Sequence, residues 1–64
     1  MIFVNGTEES FTHVTISGYL EQNGYDLRRI AVELNGEIVP KSKYDDVVLK
    51  DGDRVEIVSF VGGG

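Results

Sequence analysis

The sequence predicts an α+β domain in which a single helix covers one face of a β-sheet. Two Asn-Gly pairs, Asn5-Gly6 and Asn35-Gly36, each follow an apolar run. Such pairs are hairpin signals, because a two-residue type I′ turn needs positive φ at both central residues. Ile16, Tyr19 and Leu20 stand at i, i+3 and i+4, the spacing of one apolar helix face. Arg54 to Phe60 reads as a last strand, so the element order is β-β-α-β-β-β.

Ile2-Phe3-Val4 opens as a strand, and the Asn5-Gly6 turn returns Thr7 to Ser10 antiparallel to it. Thr15 is suited to cap the helix, its hydroxyl accepting from a free N–H of the first turn. Val14 and Tyr19 lie at the spacing of a hydrophobic staple. The helix is expected over 16–23, with Gly24 as the left-handed residue after its end. Gly18 costs such a helix about 1 kcal/mol relative to alanine. Ile30 to Leu34, the Asn35-Gly36 turn and Glu37-Ile38-Val39 form a second hairpin, ended by Pro40, which cannot donate to a ladder. Lys41 to Asp46 is polar and reads as irregular or as a short helical turn. Val47-Val48-Leu49 reads as a short extended piece, and Asp51-Gly52 as a third turn.

One helix leaves the far side of the sheet uncovered. Alternation assigns Ile2, Val4, Val32, Leu34, Val55 and Ile57 to the face that meets Ile16 and Leu20. Phe3, Ala31, Glu33, Glu56, Val58 and Phe60 fall on the other face. Phe3, Val58 and Phe60 are therefore a candidate docking patch, since contiguous exposed apolar groups mark protein–protein sites. A register slip of one residue would exchange the two faces, and sheet back faces also carry ordinary apolar surface.

The chain has 64 residues and no cysteine, so it is one domain without disulfides or thiolate chemistry. A domain of this size buries only about 60% of its unfolded surface and has modest stability. Eleven acidic against six basic residues give a net charge of −5, which disfavours nucleic acid and suits a basic docking partner or simple solubility. No stretch is long and apolar enough to cross a bilayer and no secretory signal opens the chain, so the cytoplasm is the expected location. His13, the Asp45-Asp46 pair, Asp51 with Asp53, and Glu8-Glu9 read as loop, turn or solvated strand residues. Neither a catalytic constellation nor a metal-ligand set is expected.

The sequence closes on Gly62-Gly63-Gly64. Glycine lacks a Cβ and permits close backbone approach, and three residues reach about 10 Å, enough to thread a narrow channel. The tail reads as an attachment point, with Gly64 bearing the reactive carboxylate and Gly62 and Gly63 threading into a partner. A frayed terminus or a linker has the same composition. A terminal carboxylate has a pKa near about 3.5 and is anionic at neutral pH, so it resists nucleophiles until activated. The chain has no Walker-type phosphate loop, so activation falls to a separate enzyme. Residues 1–61 are expected to form the folded domain and 62–64 a flexible glycine tail.

Three runs carry a family resemblance: Asn35-Gly36-Glu37-Ile38-Val39-Pro40, Leu49-Lys50-Asp51-Gly52-Asp53-Arg54-Val55-Glu56-Ile57-Val58, and the terminal Gly63-Gly64. Together with the length and the Asn5-Gly6 turn, they resemble the ThiS family, the sulfur-carrier proteins of thiamine biosynthesis. Gly18, Tyr19 and the bulky Phe60 depart from the family pattern. The resemblance implies a ubiquitin-like β-grasp fold, a mixed sheet wrapped on one helix. It implies a carrier rather than an enzyme, monomeric when free and holding no cofactor of its own. An E1-like adenylating enzyme of ThiF type would use ATP and magnesium to adenylate Gly64. A sulfur donor protein would supply the sulfur of a thiocarboxylate, and a thiazole synthase of ThiG type would accept it. Three alternatives remain open: a carrier for molybdopterin or another pathway, a protein modifier joined through Gly64, and a non-covalent binding module using Phe3, Val58 and Phe60.

Overall fold

A computed structural model describes residues 1–11 and 13–60. Its main sheet has five strands: β1 (Ile2–Val4), β2 (Thr7–Glu9), β4 (Ile30–Leu34), β5 (Glu37–Val39) and β7 (Arg54–Ser59). A separate two-stranded ribbon joins β3 (Val14–Thr15) to β6 (Val48–Leu49), and the helix α1 spans Ile16–Gln22. In the main sheet the strands lie in the order β2-β1-β7-β4-β5. The β1–β7 pair is parallel and the others are antiparallel, so the sheet is mixed, as the β-grasp expectation requires. The last strand thus fills the centre between two hairpins.

Both hairpin turns form as expected. Asn5 and Asn35 have φ of 50° and 52°, and the glycines after them 81° and 89°, a pattern of two left-handed residues that asparagine and glycine tolerate best. Each asparagine also grips β7. The Asn5 Oδ1 accepts from the Ile57 N–H (2.7 Å), and its Nδ2 donates to the Ile57 carbonyl (3.2 Å). These bonds continue the β1–β7 ladder past the point where β1 turns away. Asn35 Oδ1 accepts from the Arg54 N–H (2.9 Å) at the other side of β7. Asn5→Gly keeps the positive-φ turn conformation, deletes the grip and adds freedom to the unfolded chain. It is expected to cost about 2 kcal/mol, two half-buried hydrogen bonds at about 1 kcal/mol each. Urea denaturation measures this directly, and a loss below about 0.5 kcal/mol contradicts the clamp.

The helix is bounded as its sequence signals dictate. The Gly18 N–H donates to Thr15 Oγ1 (3.0 Å), which makes Thr15 the N-cap. Asn23 is the C-cap, so the helix ends one residue earlier than expected. Gly24, at φ 75°, follows it. The Tyr25 N–H donates to the Leu20 carbonyl and the Gly24 N–H to that of Glu21, the paired bonds of a Schellman motif. Gly18 has a packing reason. A Cβ there would lie 3.0 Å from Thr15 Oγ1 and 3.2 Å from Val14 Cγ2, against the capping group itself.

Alternation sorts the strands correctly. Ile2, Val4, Val32, Val55 and Ile57 are buried with Ile16, Tyr19, Leu20 and Ile30, while Leu34 is half-buried at the edge of this core. Tyr44 and Leu49 complete it. Tyr44 corrects the polar reading of 41–46. That segment begins with a 3-10 turn over Lys41–Lys43, and the carbonyls of Tyr44 and Val47 accept from Ser17 and Ile16. They satisfy N–H groups that a helix start leaves without intrahelical partners. The ribbon strand β3 and a 3-10 turn at Leu27–Arg29 are additions to the expected elements. The strands β2 and β7 stop at Glu9 and Ser59, one residue short of expectation.

Burial pushes the Tyr44 phenol above its ordinary pKa, a rise opposed in part by a hydrogen bond from the Val32 backbone. The Tyr19 phenol is raised mainly by burial, with the Glu9 carboxylate acting in the same direction. Both folded values lie above the unfolded value of about 10. Their contribution is therefore fully present below that pH and is lost as pH rises through the folded values. Chemical denaturation in a series of alkaline buffers should show stability falling above about pH 10; a flat or rising profile contradicts this.

Candidate functional site

The uncovered face of the main sheet is laid out by strand register. Along β7 its outward residues are Arg54, Glu56 and Val58, and Phe60 continues the row. Ala31 stands opposite Val58, and Glu33 opposite Glu56. Ile38 on β5 is paired with Glu33, so it shares this face. Phe3 on β1 is paired with Arg54. Val58 and Phe60 are each 53% exposed and Ile38 is 74% exposed.

The expected docking residues therefore share a face but do not form one cluster. Val58 and Phe60 are neighbours on the row. Phe3 is half-buried and lies under the Arg54 guanidinium, 5.8 Å from its ring centroid. Four residues of strand, about 13 Å, separate Arg54 from Val58. Phe3 belongs instead to an open recess of about 220 Å³ lined also by Gly6, Arg54 and Glu56. Ile38 was missed by sequence reasoning. The signal was present, because the two-residue turn at Asn35-Gly36 fixes Ile38 opposite Glu33 and hence outward.

β7 is the last strand before the glycine tail in the sequence. Phe60 donates its N–H to the Arg29 carbonyl (2.6 Å), carrying the β7–β4 pairing to the sheet's end. Arg28 and Arg29 flank this point and both pair with Asp26 (3.4 and 3.6 Å). The Arg28 N–H bonded to the Asp26 carboxylate, with its side chain adding to the effect, holds Asp26 below the usual carboxylate range. Gly62, Gly63 and Gly64 lie outside the described residues, as does Val61.

Charge on the face is uneven. Glu33 and Glu56 are cross-strand neighbours, and like charges directly opposite each other work against a sheet. Among the described residues, the ion pairs are Met1 amine with Asp51 and the two arginine pairs of Asp26; neither Glu33 nor Glu56 takes part in one. No group of three metal-ligating side chains occurs among the described residues. His13 is exposed at φ 63°, with its N–H donating to the Leu49 carbonyl. No described helix is long and apolar enough to cross a membrane.

Comparison with known proteins places this geometry. The ThiS family model matches residues 2–64. The chain is 36% identical to the sulfur carrier protein ThiS of Thermus thermophilus over the whole of both chains. It is 48% identical to a thiazole synthase of Paramagnetospirillum magneticum over 98% of its own length, but spans only 20% of that protein. The crystal structure of a thiamine biosynthesis protein (ThiS) from Geobacter metallireducens is similar at a TM-score of 0.78 and 33% identity. The match covers 98% of this chain and 97% of that one. Sequence and fold agree throughout, and the chain belongs to the ThiS family.

Proposed function

We propose that this chain is a sulfur carrier for thiazole formation in thiamine biosynthesis, with Gly64 as the attachment point. The observation that carries this reading is a family match that runs through the folded domain to Gly64 itself. The Gly64 carboxylate is an anion at neutral pH and a poor electrophile. Adenylation by a separate ThiF-type enzyme with ATP and magnesium makes it reactive. The carboxylate oxygen attacks the α-phosphate and pyrophosphate leaves. A persulfide sulfur from a donor protein then attacks the acyl carbon, and AMP departs with the former carboxylate oxygen. A second thiol cleaves the sulfur–sulfur bond and leaves a thiocarboxylate on Gly64.

The folded domain's part is recognition, and the glycines' part is reach. The chain binds no cofactor in this reading and performs no catalysis. The partner that takes the sulfur is a thiazole synthase. Support comes from the Paramagnetospirillum magneticum relative, where a fifth of a protein named thiazole synthase is matched by this chain. Domains joined in one polypeptide meet at high effective concentration. The test is reconstitution with labelled sulfur. Carrier loaded by an activating enzyme should deliver label to the thiazole made by thiazole synthase. Label retained on the carrier, or delivered only to a molybdopterin synthase, overturns the pathway.

A further inference from the structure

We infer that Asn35-Gly36 is a site of spontaneous covalent modification, at which Asn35 loses its side-chain amide and the second hairpin loses part of its hold on β7. This chemistry does not depend on the carrier reading. Two Asn-Gly pairs are open to it, because a glycine after asparagine leaves its backbone nitrogen unobstructed. That nitrogen attacks the asparagine Cγ. Its proton leaves with the side-chain nitrogen as ammonia, and a five-membered succinimide closes. Water then opens the ring at either carbonyl and is the one co-reactant required. One opening leaves aspartate. The other leaves isoaspartate, whose main chain runs through the side-chain carbons.

The two asparagines differ in what must break before the ring can close. Both polar atoms of the Asn5 amide are bonded to the backbone of Ile57, a buried residue of the central strand, and these bonds are partly buried (2.7 and 3.2 Å). The Asn35 amide is held by exposed bonds, from the Arg54 N–H to Oδ1 (2.9 Å) and from Nδ2 to the Asp53 carboxylate (3.1 Å). Solvent-exposed bonds open at lower free energy than bonds into a core strand, so Asn35 reacts first. The product is unfavourable where it forms. An anionic oxygen replaces the Nδ2 that donates to Asp53 Oδ1, and two carboxylates then face each other. Asp53 Oδ2 accepts from the Lys50 N–H (2.8 Å), so the repulsion reaches the turn before β7. Isoaspartate also lengthens the backbone of the two-residue turn that sets Leu34 opposite Glu37.

The experiment ages the full chain in mildly alkaline buffer, folded and in concentrated urea. Peptide mapping that separates asparagine, aspartate and isoaspartate follows each site. In the folded chain Asn35 should convert at least about fivefold faster than Asn5, and in urea the two rates should agree within about twofold, since glycine follows both. Asn35→Asp, which reproduces one product, should have a lower unfolding midpoint than the wild type. Asn35→Gly should abolish the fast conversion and leave that of Asn5 unchanged. A folded chain in which Asn5 converts as fast as Asn35 overturns the site, and so does one in which neither converts while both do in urea. An Asn35→Asp midpoint equal to or above that of the wild type overturns the loss of hold on β7.

Discussion

Appending one alanine after Gly64 is expected to lower sulfur loading by at least about 100-fold while leaving the unfolding midpoint unchanged. The addition moves the carboxylate outward by about 3.5 Å and places a Cβ beside the acyl carbon. In-line attack on a nucleotide phosphate needs reacting atoms near van der Waals contact, and a misplacement of about 1 Å can cost about 100-fold. The alanine also removes the unobstructed approach that a terminal glycine gives an incoming sulfur. Loading is read as thiocarboxylate formed per minute with a fixed amount of activating enzyme. A rate within about tenfold of the wild type would mean that the last carbonyl need not belong to Gly64, against the proposed mechanism.

Leu20→Ala is expected to destabilise the domain by about 3 kcal/mol and lower its unfolding midpoint by on the order of 15 °C. Leu20 is fully buried, on the helix face that meets the sheet, and its carbonyl takes part in the C-terminal cap through Tyr25. Truncation removes apolar contacts to both the helix and sheet sides and leaves a cavity that small neighbouring strands cannot collapse to fill. A 64-residue domain has roughly 3–10 kcal/mol of stability in total, so the loss is a large fraction of it. Thermal and urea denaturation give the value. A cost below about 1 kcal/mol would mean that the helix is held chiefly by its caps and by its bonds to the Tyr44 and Val47 carbonyls.

The legible parts of the fold were those written in local chemistry. Asn5-Gly6 and Asn35-Gly36 announced hairpins because few other pairs accept two left-handed residues in succession. Thr15 and Gly24 marked the helix ends through hydrogen bonds made within a few residues. Alternation along β1, β4 and β7 then separated Ile57 from Val58 and Val4 from Phe3. The less legible parts depend on distant partners. A two-residue strand such as Val14–Thr15 has no periodicity to detect. Tyr44 is one aromatic residue within a charged segment, and only the helix start above it makes it core. The second duty of Asn5, gripping Ile57 some 52 residues away, follows from the parallel docking of β7 beside β1.

The site divides along the same line. The tail lies outside the described residues and is read from composition alone, because the chemistry proposed for Gly64 needs a bare backbone acid and little else. The face was only half legible. Val58 and Phe60 stand together as alternation required, but Phe3 lies beneath Arg54, and Ile38 enters through the register of the second hairpin. Facing of Glu33 and Glu56 emerged only when β4 and β7 were seen to be neighbours.

Intact-protein mass spectrometry of the full chain tests the central claim most directly. The chain is incubated with a ThiF-type activating enzyme, ATP, magnesium and a persulfide donor, and the C-terminal fragment is then sequenced. One oxygen exchanged for sulfur, confined to Gly64 and absent when ATP is omitted, is the predicted result. A mass that stays unchanged with an activating enzyme proven competent on another carrier, or sulfur found on any other residue, would contradict it.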